Sequence, residues 1–400
     1  MKMRLLLILC VIFSLSVNAQ QLTQWRGGTN GIYPDKGLLR TWPADGPQIL
    51  WSFEGLGEGH SSPVFAHDKI FVSSMIGQTG YIFILTMDGK EIKRYPYGTE
   101  FFESWPGTRS TPVIDGNTLY IYSGMGVIYS FDALSGTLKW KKEMLTEGTE
   151  NIKWGVTETL VIDGDKLFCS PGGKPYNVVA LNKNTGDVIW SNPGTGDLSA
   201  YCTPAVVNLP SRKILVTMMA SHIVGFDINN GKLLWSYEQP NQWSVHANTP
   251  IYSTGILYCT SGYGQGTVAL KVSPDGEEIE KVWFNKDFDS RMGGVVYLDG
   301  YLYSSGDKAR EWRCLDAKTG IEKWSSTEVG KGVVVSADNM LFMYSEKGEI
   351  AIAEATPEKF KLLGKAQVTL GTAQHWAHPV IKNGILYIRH GNALIAYKIK

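Results

Sequence analysis

Cysteine is scarce in this chain, five residues in 400, and no two of them stand in a C-x-x-C pair. Without that spacing a structural zinc site has no ligand set, so no metal is expected on this ground. An excess of one charge is missing too. Lys and Arg number 38 against 38 Asp and Glu, so no global field draws nucleic acid or anionic lipid, and no nucleic-acid partner is expected. Beyond the first twenty residues there is no apolar run of the ~20 residues needed to span a membrane. A glycine-rich phosphate loop, a nucleophile elbow and a Ser-His-Asp ordering are all absent, which removes the commonest motifs of phosphoryl transfer and serine hydrolysis. Aromatics and glycine are plentiful: 12% Phe, Trp and Tyr, with 13 Trp, and 44 Gly.

The tryptophans are not scattered. Asp132-Ala-Leu-Ser-Gly136-Thr-Leu-Lys-Trp140 returns as Asn182 to Trp190, Asp227 to Trp235 and Asp316 to Trp324, with Gly four residues before each Trp. Looser copies run from Asp88 to Tyr95 and from Pro274 to Trp283, so that the closing aromatics, counted from Trp51, recur every 41–50 residues. A fixed period in this range denotes a repeat architecture. Within each period the Asp or Asn can bond the backbone two residues on, and the Gly accepts positive φ, which together make a hairpin turn. Upstream stands a second hairpin, such as Val-Ile-Asp115-Gly116-Asn-Thr-Leu-Tyr, with Asp-Gly between alternating apolar residues. Each period is thus four short antiparallel strands with no room for a helix.

Four-stranded units of this length read as blades of a β-propeller, whose radial repetition leaves no long exposed edge. Seven units start at residues 60, 109, 156, 201, 246, 291 and 331. An eighth starts at His375 and stops at Lys400 without a closing strand, while Pro47 to Phe53 is a strand with no hairpin before it. Donating that strand to the last unit predicts an all-β, eight-bladed propeller closed by its N-terminal strand. The repeated Trp is expected to pack between blades with no ligand role.

Lys2 and Arg4, the apolar stretch from Leu5 to Val17 and the small residues Val17-Asn18-Ala19 before Gln20 read as a secretory signal over 1–19. An arm over 20–46 and a single propeller domain over 47–400 follow. The expectation is a soluble, exported monomer, periplasmic or extracellular. Leu9 before Cys10 is too bulky for a lipoprotein site. Cys169, Cys202, Cys259 and Cys314 fall in predicted strands of four different blades and are expected to be free and buried.

The Asp-x-x-Thr-Gly-x-x-x-Trp closures resemble the docking repeats of pyrroloquinoline-quinone-type, quinoprotein-like propellers. The lead-in Gln24-Trp25-Arg26-Gly27-Gly28, with Leu38 to Pro43, Gly46 to Trp51 and Gly55 to Pro63, is similar to that of exported members. The resemblance covers nearly the whole mature chain. It implies one of two roles: an alcohol or sugar dehydrogenase holding pyrroloquinoline quinone with Ca²⁺ in the central funnel, or an outer-membrane assembly scaffold that binds no quinone. The chain departs from the first in lacking a vicinal Cys-Cys pair and from the second in lacking a lipoprotein site.

In such a ring the residues just before each innermost strand face a shared funnel. Along the chain these are His60, Arg109, Thr157, Tyr201, His246, Arg291, Lys331 and His375, and the loops feeding them add Trp105, Trp154, Trp243 and Trp376. Aromatic faces beside cations and donors suit a planar anionic cofactor or a sugar. The candidate ligand-binding set is therefore His60, Trp105, Arg109, Tyr201, Trp243, His246, Arg291, His375 and Trp376. Asp289 with Arg291 is the nearest carboxylate–guanidinium pair for redox chemistry, beside His246 as a candidate base. The expected role is binding or scaffolding of a small molecule, glycan or protein at the channel mouth. A quinone-dependent dehydrogenase is the first alternative, and a polysaccharide lyase or hydrolase using a funnel histidine the second.

Overall fold

Alternating residues around Asp-Gly turns build strands and little else. The computed structural model describes residues 22–28, 30–145, 153–174 and 176–400, and among these it has a single short 3-10 turn, Trp25–Gly27, and no α-helix. The expected signal over 1–19 lies outside the described residues. Eight antiparallel sheets form the blades, spanning 64–99, 113–143, 161–192, 205–238, 251–285, 296–326 and 332–367, with the eighth made of 380–398 plus Ile49–Phe53. The predicted closure is present: Ile49 pairs with Tyr397 and Phe53 with Leu394. No helix among the described residues is long and apolar enough to cross a membrane.

Each repeated Trp sits where the register of its outer strand shifts, as between Leu138 and Trp140 or opposite Cys314 at Trp324, while Tyr95 lies two residues past the equivalent shift at Lys93. That bulge turns the ring toward the next blade. Its polar atom then donates to a carbonyl in that blade's last turn: Trp51 to Met87 at 3.1 Å, Tyr95 to Ala133 at 3.4 Å, Trp140 to Lys183 at 3.0 Å, Trp190 to Ile228 at 3.1 Å, Trp235 to Gly276 at 3.1 Å, Trp283 to Ala317 at 2.9 Å and Trp324 to Thr356 at 2.7 Å. The receiving turns carry the predicted asparagine or aspartate bonds, for instance Asn184 N–H to Asn182 Oδ1 at 2.9 Å, and glycines at positive φ, Gly186 at 77°. Trp190, Trp235 and Trp324 are buried and Trp140 half-buried. The four cysteines are free and buried.

The last seam, between blades eight and one, has an additional latch. Arg389 is buried and donates to Ser61 Oγ at 2.5 Å, the Ser73 carbonyl at 2.6 Å and Ser74 Oγ at 2.8 Å. Burial pushes its guanidinium down to about 9.

The arm before the ring does not hang free. Leu22 bridges Phe65 of the first blade, and the Ile114 N–H of the second donates to the Thr23 carbonyl. Arg26 reaches the Val295 carbonyl at 2.9 Å, Ile32–Tyr33 pairs in parallel with the inner strand of the seventh blade, and the Tyr33 hydroxyl meets the Pro379 carbonyl at 3.3 Å. These partners all lie in or beside innermost strands, so residues 22–28 and 30–33 form a plug inside the central channel that carries Trp25 and Arg26. Arg26 is buried with φ of 53°, a left-handed value that non-glycine residues avoid. Its fully enclosed guanidinium falls to about 10 through burial.

Candidate functional site

With the plug below, the channel becomes a cup open at the face where the inner strands begin. Its cavity is about 230 Å³, the share of roughly eight waters at ~30 Å³ each. Six aromatic residues line it: Trp25 at the floor, then Trp105, Trp154, Tyr201, Tyr263 and Trp376 around the wall. Between them stand His60, His378, Arg109 and Arg291, with Thr157, Thr159, Thr203, Val245, Ala247 and Met292 completing the surface. The rings contact one another: Trp376 lies 5.9 Å from Trp105 and 5.1 Å from the His60 ring, Trp154 6.0 Å from Tyr201, and Trp25 meets His378 edge-on at 4.9 Å.

A girdle of threonines supports the wall. The Ser62 N–H donates to Thr111 Oγ1 at 3.0 Å, Thr111 N–H to Thr159 Oγ1 at 3.3 Å, and Thr159 N–H to Thr203 Oγ1 at 2.9 Å. The inner strands of blades one to four are thereby tied each to the next.

The two cup arginines differ. Arg291 is paired, 2.7 Å from Glu346 and 3.8 Å from Asp307; burial opposes its charge, but the two carboxylates raise its pKa overall. Arg109 donates instead to the carbonyls of Trp154, Ser104 and Trp105 and lies 4.8 Å over the Phe101 ring. Among the described residues no carboxylate forms an ion pair with it, and burial lowers it to about 10. His60 is buried with the Gln374 backbone nearby, yet neither ring nitrogen meets hydrogen-bond geometry with any described residue. Burial, then the charges of Arg389 and Arg109, push it down to about 3, so the ring is neutral at pH 7.

Of the nine predicted ligand residues, the fold brings His60, Trp105, Arg109, Tyr201, Arg291 and Trp376 together and leaves three outside. His246 is buried behind the wall with Nε2 3.2 Å from the Ala220 carbonyl. His375 turns away to the Tyr344 hydroxyl at 2.6 Å and stacks on His390 at 3.7 Å. Trp243 is exposed on a neighbouring loop. The cause is parity. In blades five and eight the cup takes residues 245 and 247, and 376 and 378, one position off the predicted station, and a one-residue slip turns a side chain to the opposite face. The Asp289–Arg291 pair also separates, because the Asp289 carboxylate accepts the backbone N–H groups of Gly264, Asp307 and Lys308 at 2.9–3.0 Å. Trp25 and Tyr263 were missed. The first comes from the arm, and the second from a turn between the second and third strands of blade five.

A quinone held beside Ca²⁺ calls for several oxygen ligands, carboxylates among them. The cup wall contains no Asp or Glu. The acids behind it are engaged: Glu100 accepts from Tyr97 at 2.7 Å and the Gly124 N–H at 3.0 Å, and Glu158 from the Ser170 N–H at 2.9 Å. Among the described residues no cluster of His, Cys, Asp and Glu is arranged to hold a metal. The residues present do not fit that group.

A family model described as outer membrane protein assembly factor BamB matches residues 35–326. The chain belongs to this pyrroloquinoline-quinone-like propeller family. Among relatives of the family, the tetrathionate hydrolase of Acidithiobacillus ferrooxidans is 24% identical over 48% of this chain and 50% of its own length. A quinoprotein ethanol dehydrogenase of Pseudomonas aeruginosa is 24% identical over 58% of the chain and 31% of its own. The match thus spans half or less of either protein. The crystal structure of BamB from Moraxella catarrhalis superposes with a TM-score of 0.65 at 14% identity, covering 88% of this chain and all of that one, which shows the shared fold.

Proposed function

We propose that this chain is an exported propeller that binds a ring-bearing small molecule or glycan end in the aromatic cup, and that it acts by binding rather than by redox chemistry. The observation that carries the reading is backbone strain. Trp105, Tyr201 and Tyr263 line the cup at φ of 43°, 72° and 60°. A side chain in that region costs about 1–2 kcal/mol where glycine costs little. Such strain gathers at ligand sites, where the surroundings hold it in place. Here its product is three rings turned into one cavity.

The test is calorimetry and tryptophan fluorescence of the whole protein against monosaccharides, oligosaccharide ends and planar aromatic compounds. Binding is expected for at least one class, with loss in the Trp105→Ala/Trp376→Ala double variant. A set of ligands that leaves the fluorescence unmoved, or a double variant that binds as well as the parent, would sink the reading. A parallel titration with pyrroloquinoline quinone and Ca²⁺ is expected to give no quinone band and no dye reduction with alcohols or sugars. A band with turnover would restore the dehydrogenase alternative.

A second reading, a protein segment seated at the same mouth, is supported by the exposed aromatics Phe102, Trp105 and Trp243 and by the assembly-factor family. Crosslinking from residue 243 in the periplasm is expected to capture a partner under that reading and to leave the protein uncrosslinked under the first.

A further inference from the structure

We infer that the ring taken by the cup carries a carboxylate, directed to the wall that His60 and Arg109 share. This rests on the ring-binding reading above and adds the sign of the ligand's charge.

The first support is the balance of donors and acceptors. The indole N–H groups of Trp25, Trp105, Trp154 and Trp376 have no acceptor among the described residues, and neither nitrogen of the buried His60 meets hydrogen-bond geometry, although the Gln374 backbone lies near one of them. Trp and Arg can only donate, and neutral His donates from one nitrogen. With no Asp or Glu in the wall, an acceptor-rich ligand is what this surface can satisfy. A cationic ring would meet the Arg109 and Arg291 guanidiniums with no carboxylate in the wall to offset the repulsion.

The second support is charge. The chain as a whole is neutral, yet the ground around the cup is not. Arg26, Arg109 and Arg389 have no ion-pair partner among the described residues and hold their protons near pH 7 despite burial. The acids behind the wall are weakened: burial lifts Glu158 to about 8 and raises Glu100 as well. Arg291 is offset by Glu346 and Asp307, but Arg109 has no such partner among the described residues and stands in a wall without Asp or Glu, and there, in a low-dielectric setting, a single anion is felt strongly.

The carboxylate can come from a sugar acid or an aromatic acid, and matched pairs tell them apart. The whole protein is titrated with glucuronate against glucose and with benzoate against benzamide, at low and high salt. At least one acid is expected to bind about tenfold more tightly than its neutral partner, the worth of one charge-assisted hydrogen bond, with the gap narrowing as salt rises. The tighter acid names the source. Arg109→Gln should close the gap, and Arg109→Lys, which keeps the charge while giving up the guanidinium fork, should retain part of it. If Arg109→Gln fails to fold, the acid-to-neutral ratio of the parent protein still decides. Equal binding of acid and neutral partner overturns this inference and leaves the ring-binding reading standing. Failure of all four compounds to bind overturns both.

Discussion

The Trp42 side chain packs on the backbone of Gly364, its Cβ 3.1 Å and its Cγ 3.3 Å from where a glycine Cβ would project. Gly364 holds the position in the outer strand of blade seven, at the register shift opposite Ile352, that tryptophan holds in six of the other blades. The substitution follows from the ring closure. The outer strand of blade eight comes from the N-terminus, so no Asp-x-x-Thr-Gly turn exists there to receive an indole from blade seven. The arm crosses that gap and supplies Trp42 in its place.

Trp42→Ala should therefore destabilise the ring by about 2 kcal/mol, below the ~3–5 kcal/mol expected for a fully enclosed aromatic such as Trp235→Ala. The exchange Trp42→Gly with Gly364→Trp should recover part of the loss. Denaturant midpoints of these four variants and the parent check this. An exchange no better than Trp42→Gly alone would show that the two positions are not interchangeable.

The plug makes a separate prediction. Arg26→Leu leaves the Val295 carbonyl without its 2.9 Å donor, and an orphaned buried acceptor costs about 1–3 kcal/mol. Removing residues 22–33 altogether should cost more and should also abolish ligand binding, because the cup loses its floor at Trp25. A truncated protein that melts and binds like the parent would show the plug to be dispensable.

The fold was legible because a period set by Trp, Gly and Asp needs no tertiary information. The eight blades, the donated strand and the inter-blade role of Trp190, Trp235 and Trp324 all follow from spacing. The site was legible only in part. Position before an inner strand locates the mouth, and it found Arg109, Tyr201 and Trp376. Which of two adjacent residues faces inward depends on the parity of the strand entry, so Trp376 was found while His375 and His246 point elsewhere. Trp25 was beyond reach of repeat logic, because it belongs to no blade. Trp42 was hidden for the same reason.

Acid stability should show two limbs. Unfolded histidines take protons near pH 6.5, whereas burial holds His60 to about 3, His246 to about 4, and His378 well below its ordinary value in the folded chain. The unfolded state thus binds more protons below pH 6.5, and stability present above that pH falls on acidification. Glu158, raised by burial to about 8 when folded, works the other way: its contribution is present below ~4.5 and lost as pH rises toward 8, and Glu100, also raised by burial, acts in the same direction. Between pH 6.5 and 4.5 the glutamates offset part of the histidine effect, so the slope is shallower there than below pH 4.5. Below pH 4.5 the glutamates no longer oppose the histidines, and the slope steepens toward about 1.4 kcal/mol per pH unit for each histidine still neutral. Urea melts across pH 3.5–7.5 measure both limbs. Glu158→Gln should steepen the upper limb and His246→Gln should flatten the lower one; unchanged slopes in both would refute the assignment.

The last prediction sets stability against function at Trp105. Its ring is half exposed at the cup rim, so little packing is lost on removal, while its φ of 43° is unfavourable for any residue with a Cβ. Trp105→Gly frees the backbone of that strain, worth about 1 kcal/mol, against the loss of one ring contact with Trp376 at 5.9 Å. A neutral to slightly raised melting temperature is expected. Trp105→Ala keeps the Cβ and the strain and should melt lower than the glycine variant. Both should bind the cup ligand more weakly than the parent, since the stacking surface is gone in each. A residue kept for the fold alone would give the reverse pattern, a glycine variant that melts well below the parent and binds normally. Improved stability with lost binding is the signature of a residue whose strained backbone is retained for the ligand.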